Sequence, residues 1–580
     1  MSTSLCDACG LPPRPNQRLL TCTRCNSARY HDLSCQKKHY PQHKKSCRQI
    51  AAEKKRAAAA VIKPLVECQS VANKGRGLVA ASALSIGCRP LASIKKDSSD
   101  NVEIRKDGLC SAIVPPTLIE SMRATRCTYC FQLIGGRNSS PTNLLHVHCS
   151  MECRNLDSFS KNEQIASMKL ISSGATSSMP SPTVLTCSRI FLLSVTNPAV
   201  MTKYNELCYD DGSDINTEQV DLHLNIVKQC HHLLLAMGNT SAAKLAHDLI
   251  EPDPILAFQF ISRLTMNGFT ICNAEQMALG VGIFQPASMI NHSCRPNAVQ
   301  SFWLSDGSPP MLQITMCHDA TVGEEITISY CDASTPLYDR QKGLKMDYNF
   351  VCDCELCQDM ERDDAAMGLV CVAPGGCNGI VRSSSSDLSS VDTSLDKNKK
   401  YRCETCGHSD FKDSLKAISK LMTCIETIEK KLKDASVHDS IKYNESTGHE
   451  IKQMFDSTTK YCNPQTSWYV AWSSDVFVHW CANTLRHVRD EGEQLKICHQ
   501  ALSVLEKSRN ATKVCYDYEG SLVWWIKRGM EAKLRLFVNP VDFEALGLMR
   551  EVRRNLMYYY QSTDEIVSSL DESIRAYSYS

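Results

Sequence analysis

Apolar residues recur three or four apart along the last third of the chain. From Leu415 they fall at Leu415, Ile418, Leu421, Met422, Ile425, Ile428 and Leu432, on one face of an α-helix, and predict an amphipathic element. Similar spacing predicts further helices around 470–490, 493–507, 520–537 and 541–559, joined by short polar turns. Stacked helical hairpins and a plain bundle both fit, because no clean repeat is visible. The same periodicity runs through 160–262, as in Val220, Leu222, Leu224, Val227 and Leu233. It breaks at SSGATSSMPSP, which predicts a flexible loop near 172–182. Residues 48–63, RQIAAEKKRAAAAVIK, predict a linking helix. Elsewhere the period shortens to two. Ile326, Ile328 and Tyr330 alternate after a turn at Gly323, the pattern of a strand, and an apolar strand-like run follows Gly75 and Gly77.

The chain has 580 residues, 43% hydrophobic and 22% charged, which is globular composition and enough for two to five folded units at roughly 100–200 residues each. Its 26 glycines and 22 prolines exclude collagen and wholesale disorder. Sixty-four basic residues against sixty-three acidic ones leave +1, so no global charge asks for nucleic acid. MSTSLCDACG lacks the basic-then-apolar pattern of a secretion signal. The longest apolar runs, around Ile190 to Leu193, fall far short of the ~20 residues of a membrane span. The expectation is a soluble intracellular protein, in nucleus, cytoplasm or both. In that setting 32 cysteines are reduced thiols, and clustered reduced thiols ask for metal.

The first 47 residues contain Cys6-x2-Cys9, Cys22-x2-Cys25, His31-x3-Cys35 and His43-x3-Cys47. Eight ligands make two tetrahedral zincs, and the stretch is too small to build a core from Leu11, Leu19, Leu20 and Leu33 alone. Lys37, Lys38, Lys44 and Lys45 read as a solvated face. Order and spacing, with Tyr30-His31 and Ser34-Cys35-Gln36, resemble the MYND zinc finger. The resemblance implies interleaved sites: Cys6, Cys9, His31 and Cys35 for one ion, and Cys22, Cys25, His43 and Cys47 for the other. His31 stands where the family usually has cysteine, and zinc accepts imidazole. Cys127-x2-Cys130 with Cys149-x3-Cys153 repeats half of that arrangement and suffices for one zinc, with His146 and His148 as substitutes or bystanders. Cys352-x-Cys354-x2-Cys357 offers three ligands and needs a fourth. Cys371-x5-Cys377 with Cys403-x2-Cys406 brackets SSSSDLSSVDTSLDKNKK and reads as a zinc ribbon with a disordered tip.

Between these sites lie ANKGRGLVA at 72–80, GFTICN at 268–273, NHSCRPN at 291–297 and GEEITISYCD at 323–332. G-x-G, NHSC-x-PN, GEE-x-T-x-x-Y and C-x-C-x2-C, in this order, resemble the SET fold of protein lysine methyltransferases with its post-SET zinc motif. The inserted finger and helical C-terminal region resemble the SET-and-MYND family over most of the chain. The resemblance implies an α+β multi-domain protein: a split β-rich SET fold, MYND fingers, a post-SET zinc site and an all-α, TPR-like C-terminal domain walling one side of the substrate cleft. It implies S-adenosylmethionine as cofactor, up to five zinc ions, and Cys294 as the missing fourth ligand of Cys352, Cys354 and Cys357. It places Lys74, Gly75, Arg76, Gly77, Asn267, Asn291, His292, Tyr330 and Phe350 at the cofactor. Phe269, Tyr330 and Tyr348 form the lysine channel, and Tyr330 is the catalytic residue. Two features depart from the family: the full finger precedes the SET region while a truncated one fills its split, and Lys74 and Arg76 flank Gly75.

The implied boundaries are 1–47 MYND finger, 48–67 helical linker, 68–126 first SET part, 127–155 truncated finger and 156–254 helical insert. The SET core follows at 255–335, then post-SET at 336–360, a zinc ribbon at 361–410 and the helical domain at 411–580. The implied function is methylation of an exposed lysine on a histone or another protein, by a monomer. The competing reading is an adaptor with a catalytically weak SET fold whose MYND finger binds proline-containing peptides. Direct DNA binding lacks both a basic face and finger-reader spacing.

Overall fold

The computed structural model describes residues 6–9, 11, 19–22, 28–59, 65–72, 74–93, 108–134, 145–211, 217–251, 253–274, 276–304, 307–366, 368–373, 377, 379–383, 401–433, 445–485, 487–516, 521–560 and 564–578. They fall into two units, Met1–Pro64 and Leu65–Ser580. In the first, a short antiparallel ladder, Leu20–Thr21 with Arg29–Tyr30, precedes one helix, Leu33–Ala59. Asp32 caps that helix by accepting the Cys35 backbone N–H at 2.8 Å. The helix continues from the finger ligands through the alanine-rich segment, so the boundary expected at 47/48 falls inside a single element. Cys6, Cys22, Ala28, Tyr30 and Cys47 make its small core, which fits metal as the main source of its stability.

The second unit opens with the hairpin Val66–Val71 and Gly75–Ala80. Two three-stranded sheets follow. One sets Met311–Met316 between Ala298–Trp303 and Leu109–Cys110. The other sets Ala278–Ile283 between Thr117–Leu118 and Gly268–Cys272. Strands from both sides of the inserted segment complete each sheet, and Leu78, Leu279, Phe284, Ile290, Leu312, Ile314, Ile326 and Ile328 share one core. The strand expected through Tyr330 is shorter: Thr327–Ile328 pairs in parallel with Asn291–His292, after Glu325 bridges Val79. It ends there because the Tyr330 backbone N–H turns to the His292 ring, at 2.9 Å from Nδ1, instead of to a neighbouring strand.

Six helices fill the insert: Ser160–Ser172, Pro182–Thr196, Ala199–Asn205, Thr217–Ala236, Thr240–His247 and Pro254–Asn267. Ser181, Asn239 and Asp253 accept backbone N–H groups at three of their starts, and Pro182 and Pro254 follow two of those caps. SSGATSSMPSP joins the first two helices. Arg189 holds this insert to the SET sheets: it donates to both Glu163 oxygens at 2.8 Å and to the Pro115 and Pro116 carbonyls. Burial pushes the Glu163 carboxyl up, but Arg189 and His146 outweigh it and hold the group at about 2.

The truncated finger is seated by Phe131, which adopts φ 62° and is fully buried. A Cβ at Gly280 would fall 2.4 Å from its Cε2 and 2.4 Å from the Thr117 carbonyl, so glycine is what lets the ring lie on the sheet. Phe131→Ala should lower the unfolding free energy of the zinc-replete chain by about 3–5 kcal/mol. An unchanged urea midpoint would mean that this ring does not anchor the finger.

Beyond the SET region, Leu369–Val370, Ile380–Ser383 and Tyr401–Cys403 form a three-stranded antiparallel sheet; residues 384–400, most of the Ser-rich tip, lie outside the described residues. Helices then span Lys412–Lys433, Glu445–Tyr461, Trp468–Leu485, Glu491–Tyr516, Leu522–Val538, Phe543–Leu556 and Glu565–Ser578, and consecutive ones pack together. The second and last of these had no separate expectation from the sequence. Their lengths are uneven and follow no fixed 34-residue period. Among the described residues no helix is long and apolar enough to cross a membrane.

Candidate functional site

The turn that starts the strand Gly75–Ala80 meets the pair Asn291–His292 and the segment after Ile328. Together with 206–208 of the insert and 350–354, they enclose a cavity of about 360 Å³. Lys74, Arg76, Asn267, Asn291, His292, Tyr330 and Phe350 line it. Gly75 and Gly77 support it from behind. Gly75 turns the chain at φ 76°, and a Cβ on Gly77 would fall 2.7 Å from Asn291 Nδ2, so a side chain there would expel the asparagine. Glu325 fixes both sides: Oε2 takes Lys74 Nζ at 2.8 Å and Oε1 takes Asn291 Nδ2 at 2.8 Å. Arg76 donates to the Glu206 carbonyl at 2.5 Å. Asn267 is buried, and its amide donates to the Cys208 and Arg263 carbonyls; it shapes the insert wall.

His292 points inward. Its Nδ1 accepts the Tyr330 N–H, so the proton sits on Nε2, 3.2 Å from Cys294 Sγ. The Tyr330 hydroxyl donates to the Ile290 carbonyl at 2.6 Å. One short segment, 290–294, thus grips Tyr330 at both ends. Burial, with Tyr348 beside it, pushes the Tyr330 phenol well above its ordinary range, and burial pushes Tyr348 up to about 12. Both rings are neutral at physiological pH.

A second cavity, of about 610 Å³, is lined by Phe269, Thr270, Met266, Lys345 and Tyr348 among others. Met266 and Tyr348 border both cavities. Tyr330 and Tyr348 pack with ring centroids 4.6 Å apart, and Phe269 is buried against Phe284 at 5.9 Å. Phe269 lies on Gly268–Cys272, an edge strand of its sheet.

The sulfurs test whether zinc fits. Four thiolates around zinc at 2.3 Å stand about 3.8 Å apart. Cys130 and Cys149 are 3.5 Å apart, Cys294 and Cys357 3.6 Å, Cys371 and Cys406 3.5 Å, Cys377 and Cys403 3.7 Å, and Cys22 and Cys47 3.7 Å. These spacings match tetrahedral edges and are far too long for disulfides. Among the described residues the gathered sets include Cys6, Cys9, His31 and Cys35; Cys127, Cys130, Cys149 and Cys153; Cys294, Cys352, Cys354 and Cys357; Cys371, Cys377, Cys403 and Cys406; and Cys22, His43 and Cys47. Cys25, expected with the last set, lies outside the described residues. Hydrogen bonding from Cys130 and nearby backbone N–H groups outweighs burial and lowers the Cys127 thiol, toward the thiolate form that zinc takes. His146 and His148 are bystanders: their Nε2 atoms lie 2.9 Å from Glu163 and 3.0 Å from Asp157.

Sequence reasoning missed Glu325, Met266 and residues 206–208. Glu325 stood within a quoted motif but without a role; the others carry no local pattern. It also missed Cys331, a fifth thiol in contact with Cys294 and His292.

The SET domain family pattern matches residues 75–331 and the MYND finger pattern residues 6–47. Human histone-lysine N-methyltransferase SMYD3 is 40% identical over 106 residues, 18% of this chain and 24% of that protein. Human N-lysine methyltransferase SMYD2 is 24% identical over 247 residues, 42% of this chain and 53% of that protein. Histone-lysine N-methyltransferase ASHR2 of Arabidopsis thaliana is 26% identical over 314 residues, 51% and 72%. The matches thus span about a quarter of SMYD3 and about half of SMYD2.

Proposed function

The chain belongs to the family of SET- and MYND-domain proteins, and from that premise we propose that it is a protein-lysine N-methyltransferase that uses S-adenosylmethionine. The observation that carries this reading is the pair of cavities sharing Met266 and Tyr348 as a wall, with Tyr330 beside it. The smaller cavity takes the cofactor: Asn291 and His292 hold its adenosine through main-chain and side-chain hydrogen bonds, Lys74 and Arg76 border it while engaged with Glu325 and the Glu206 carbonyl, and Phe350 packs near its sulfur. When bound, the cofactor supplies a methyl group on a sulfonium, ready for displacement by an amine. The larger cavity takes the protein. Its lysine enters between Phe269, Tyr330 and Tyr348, while the substrate backbone pairs along the edge strand Gly268–Cys272.

Lysine has an ordinary pKa near 10.4, so the channel must remove a proton before transfer. An apolar aromatic wall disfavours the ammonium, and neutral Tyr330 and Tyr348 offer it no counter-charge. Tyr330 then orients the amine in line with the methyl group, and positioning supplies much of the rate. The four-thiol sets and the finger sites hold zinc in structural roles. Abundant metal-ligating thiols suit a reducing compartment, nucleus or cytoplasm. The finger forms a unit with its own core, which supports a separate role in holding a proline-containing peptide of a partner.

Calorimetry on the zinc-replete chain tests the cofactor assignment. Wild type should bind S-adenosylmethionine at micromolar Kd, and the Asn291→Ala, His292→Ala double variant at least about thirtyfold more weakly. No binding by well-folded wild type would remove the enzyme reading in favour of the adaptor.

A further inference from the structure

Two strips of chain bound the smaller cavity, residues 206–208 and residues 350–354, and neither lies in a helix or strand. The first strip and the residues after it are laid along the helix Pro254–Asn267. Asn267 donates to the Cys208 carbonyl at 2.7 Å, and the Arg263 guanidinium sits 3.8 Å over the Tyr209 ring. The Asp210 N–H meets the Ser262 hydroxyl at 3.2 Å, and Gln259 donates to the Asp211 carbonyl at 3.3 Å. The second strip follows the helix Leu337–Tyr348. Its cap, Asn349, takes the left-handed conformation at φ 58° and returns its N–H to the Lys345 carbonyl. Glycine or asparagine suits that position, and here the side chain has a further use. Its Oδ1 accepts the Lys345 ammonium at 2.6 Å, and its Nδ2 donates to Asp210 Oδ2 at 3.2 Å. An ammonium only donates and a carboxylate only accepts, so the amide meets both in one orientation alone. Lys345, Asn349 and Asp210 thus tie one wall of the cavity to the other.

We propose that Asn349 and Asp210 form a latch that holds the two walls together and sets how long S-adenosylmethionine stays bound. The proposal rests on the methyltransferase reading and adds a positioning pair to it: both residues line the larger cavity and neither lines the smaller one, so they act on the cofactor through the walls. A hydrogen bond to a carboxylate is stronger than one between neutral groups. Asn349 is exposed, so water competes for this one and keeps its net strength modest. The latch therefore slows opening without making it prohibitive. When it parts, the first strip keeps its contacts to Pro254–Asn267, and the freedom gained falls to the other side, at 349–351. That stretch contains Phe350 and the exposed Val351, both of which line the smaller cavity.

The test loads the full zinc-replete chain with radiolabelled S-adenosylmethionine, chases it with excess S-adenosylhomocysteine and reads the dissociation rate. Asn349→Gly keeps the left-handed cap and removes the amide. Asp210→Ala removes the carboxylate and leaves the backbone N–H on Ser262. Each should release the cofactor about fivefold faster than wild type, with zinc content unchanged. The double variant should be no faster than the faster single one, because both substitutions remove the same bond. A wild-type rate in either single variant overturns the latch, and so does a double variant near the product of the two effects, about twenty-fivefold, which would mean that the residues act separately. In either case cofactor binding by wild type leaves the methyltransferase reading standing. Failure of well-folded wild type to bind the cofactor removes that reading and the latch with it.

Discussion

Tyr330→Phe should lower kcat by roughly two orders of magnitude while S-adenosylmethionine affinity stays within about threefold of wild type. The ring contributes to the walls of the smaller cavity and packs on Tyr348 at 4.6 Å, and phenylalanine keeps both contacts. What disappears is one oxygen. In the resting protein its proton goes to the Ile290 carbonyl at 2.6 Å, so its lone pairs are left to receive an incoming amine or the polarised hydrogens of a transferring methyl group. Burial keeps the phenol protonated, so the hydroxyl does this work throughout the accessible pH range. Losing the hydroxyl costs orientation in the transition state more than binding in the ground state, which is why kcat and not Kd carries the effect. Radiolabelled methyl transfer to a lysine-bearing protein, paired with calorimetry of the cofactor, reads the two separately. Turnover equal to wild type would take the catalytic role away from Tyr330.

The parts of this site legible in the sequence are those whose chemistry is local. C-x2-C turns and His-x3-Cys helical turns aim two ligands at one ion within a few residues, and the sulfurs of Cys127, Cys130, Cys149 and Cys153 converge as their spacing implies. Asn291 and His292 follow from one motif. Glu325 is different. Its partner Lys74 is 251 positions away, and nothing in either segment announces the other until the hairpin Val66–Val71 and Gly75–Ala80 packs beside 291–292. Met266 reads as an ordinary apolar residue near a helix end, yet it borders both cavities. His292 was legible as a candidate site residue and lines the smaller cavity, but the direction of its ring was not legible, because that depends on Tyr330 and Cys294 approaching it from two sides. In the C-terminal region the apolar period gave helix positions well. It gave no pairing geometry, because the period records which face is buried and not what covers it.

Cys294→Ala combined with Cys331→Ala should remove about one zinc per chain and weaken S-adenosylmethionine binding by at least about 100-fold. Cys294 is fully buried, 3.6 Å from Cys357, and gathered with Cys352 and Cys354. A four-thiolate zinc site carries two net negative charges, and Arg340, 1% exposed, points its Nη2 at Cys357 from 3.9 Å. Without the metal and Cys294, that buried guanidinium loses most of its counter-charge, an arrangement that costs several kcal/mol. The segment 350–357 then loses the tie between its buried Cys352 and Cys357 and the rest of the set, and keeps Leu356 in its small cluster and the two hydrogen bonds that join Gln341 to the Cys352 backbone. Phe350, Cys352 and Cys354 line the smaller cavity, the one we propose for the cofactor, so it opens on that side. The damage also runs through His292, whose Nε2 loses its sulfur partner and whose Nδ1 holds the Tyr330 N–H. The second substitution matters because the Cys331 thiol touches Cys294 and is the neighbouring sulfur able to replace it. Cys331→Ala alone should therefore leave zinc content unchanged. Metal analysis after chelator challenge, alongside calorimetry, gives both numbers. Full zinc content in the double variant would take Cys294 out of the site, and full zinc loss with intact cofactor binding would uncouple the metal from the cavity it borders.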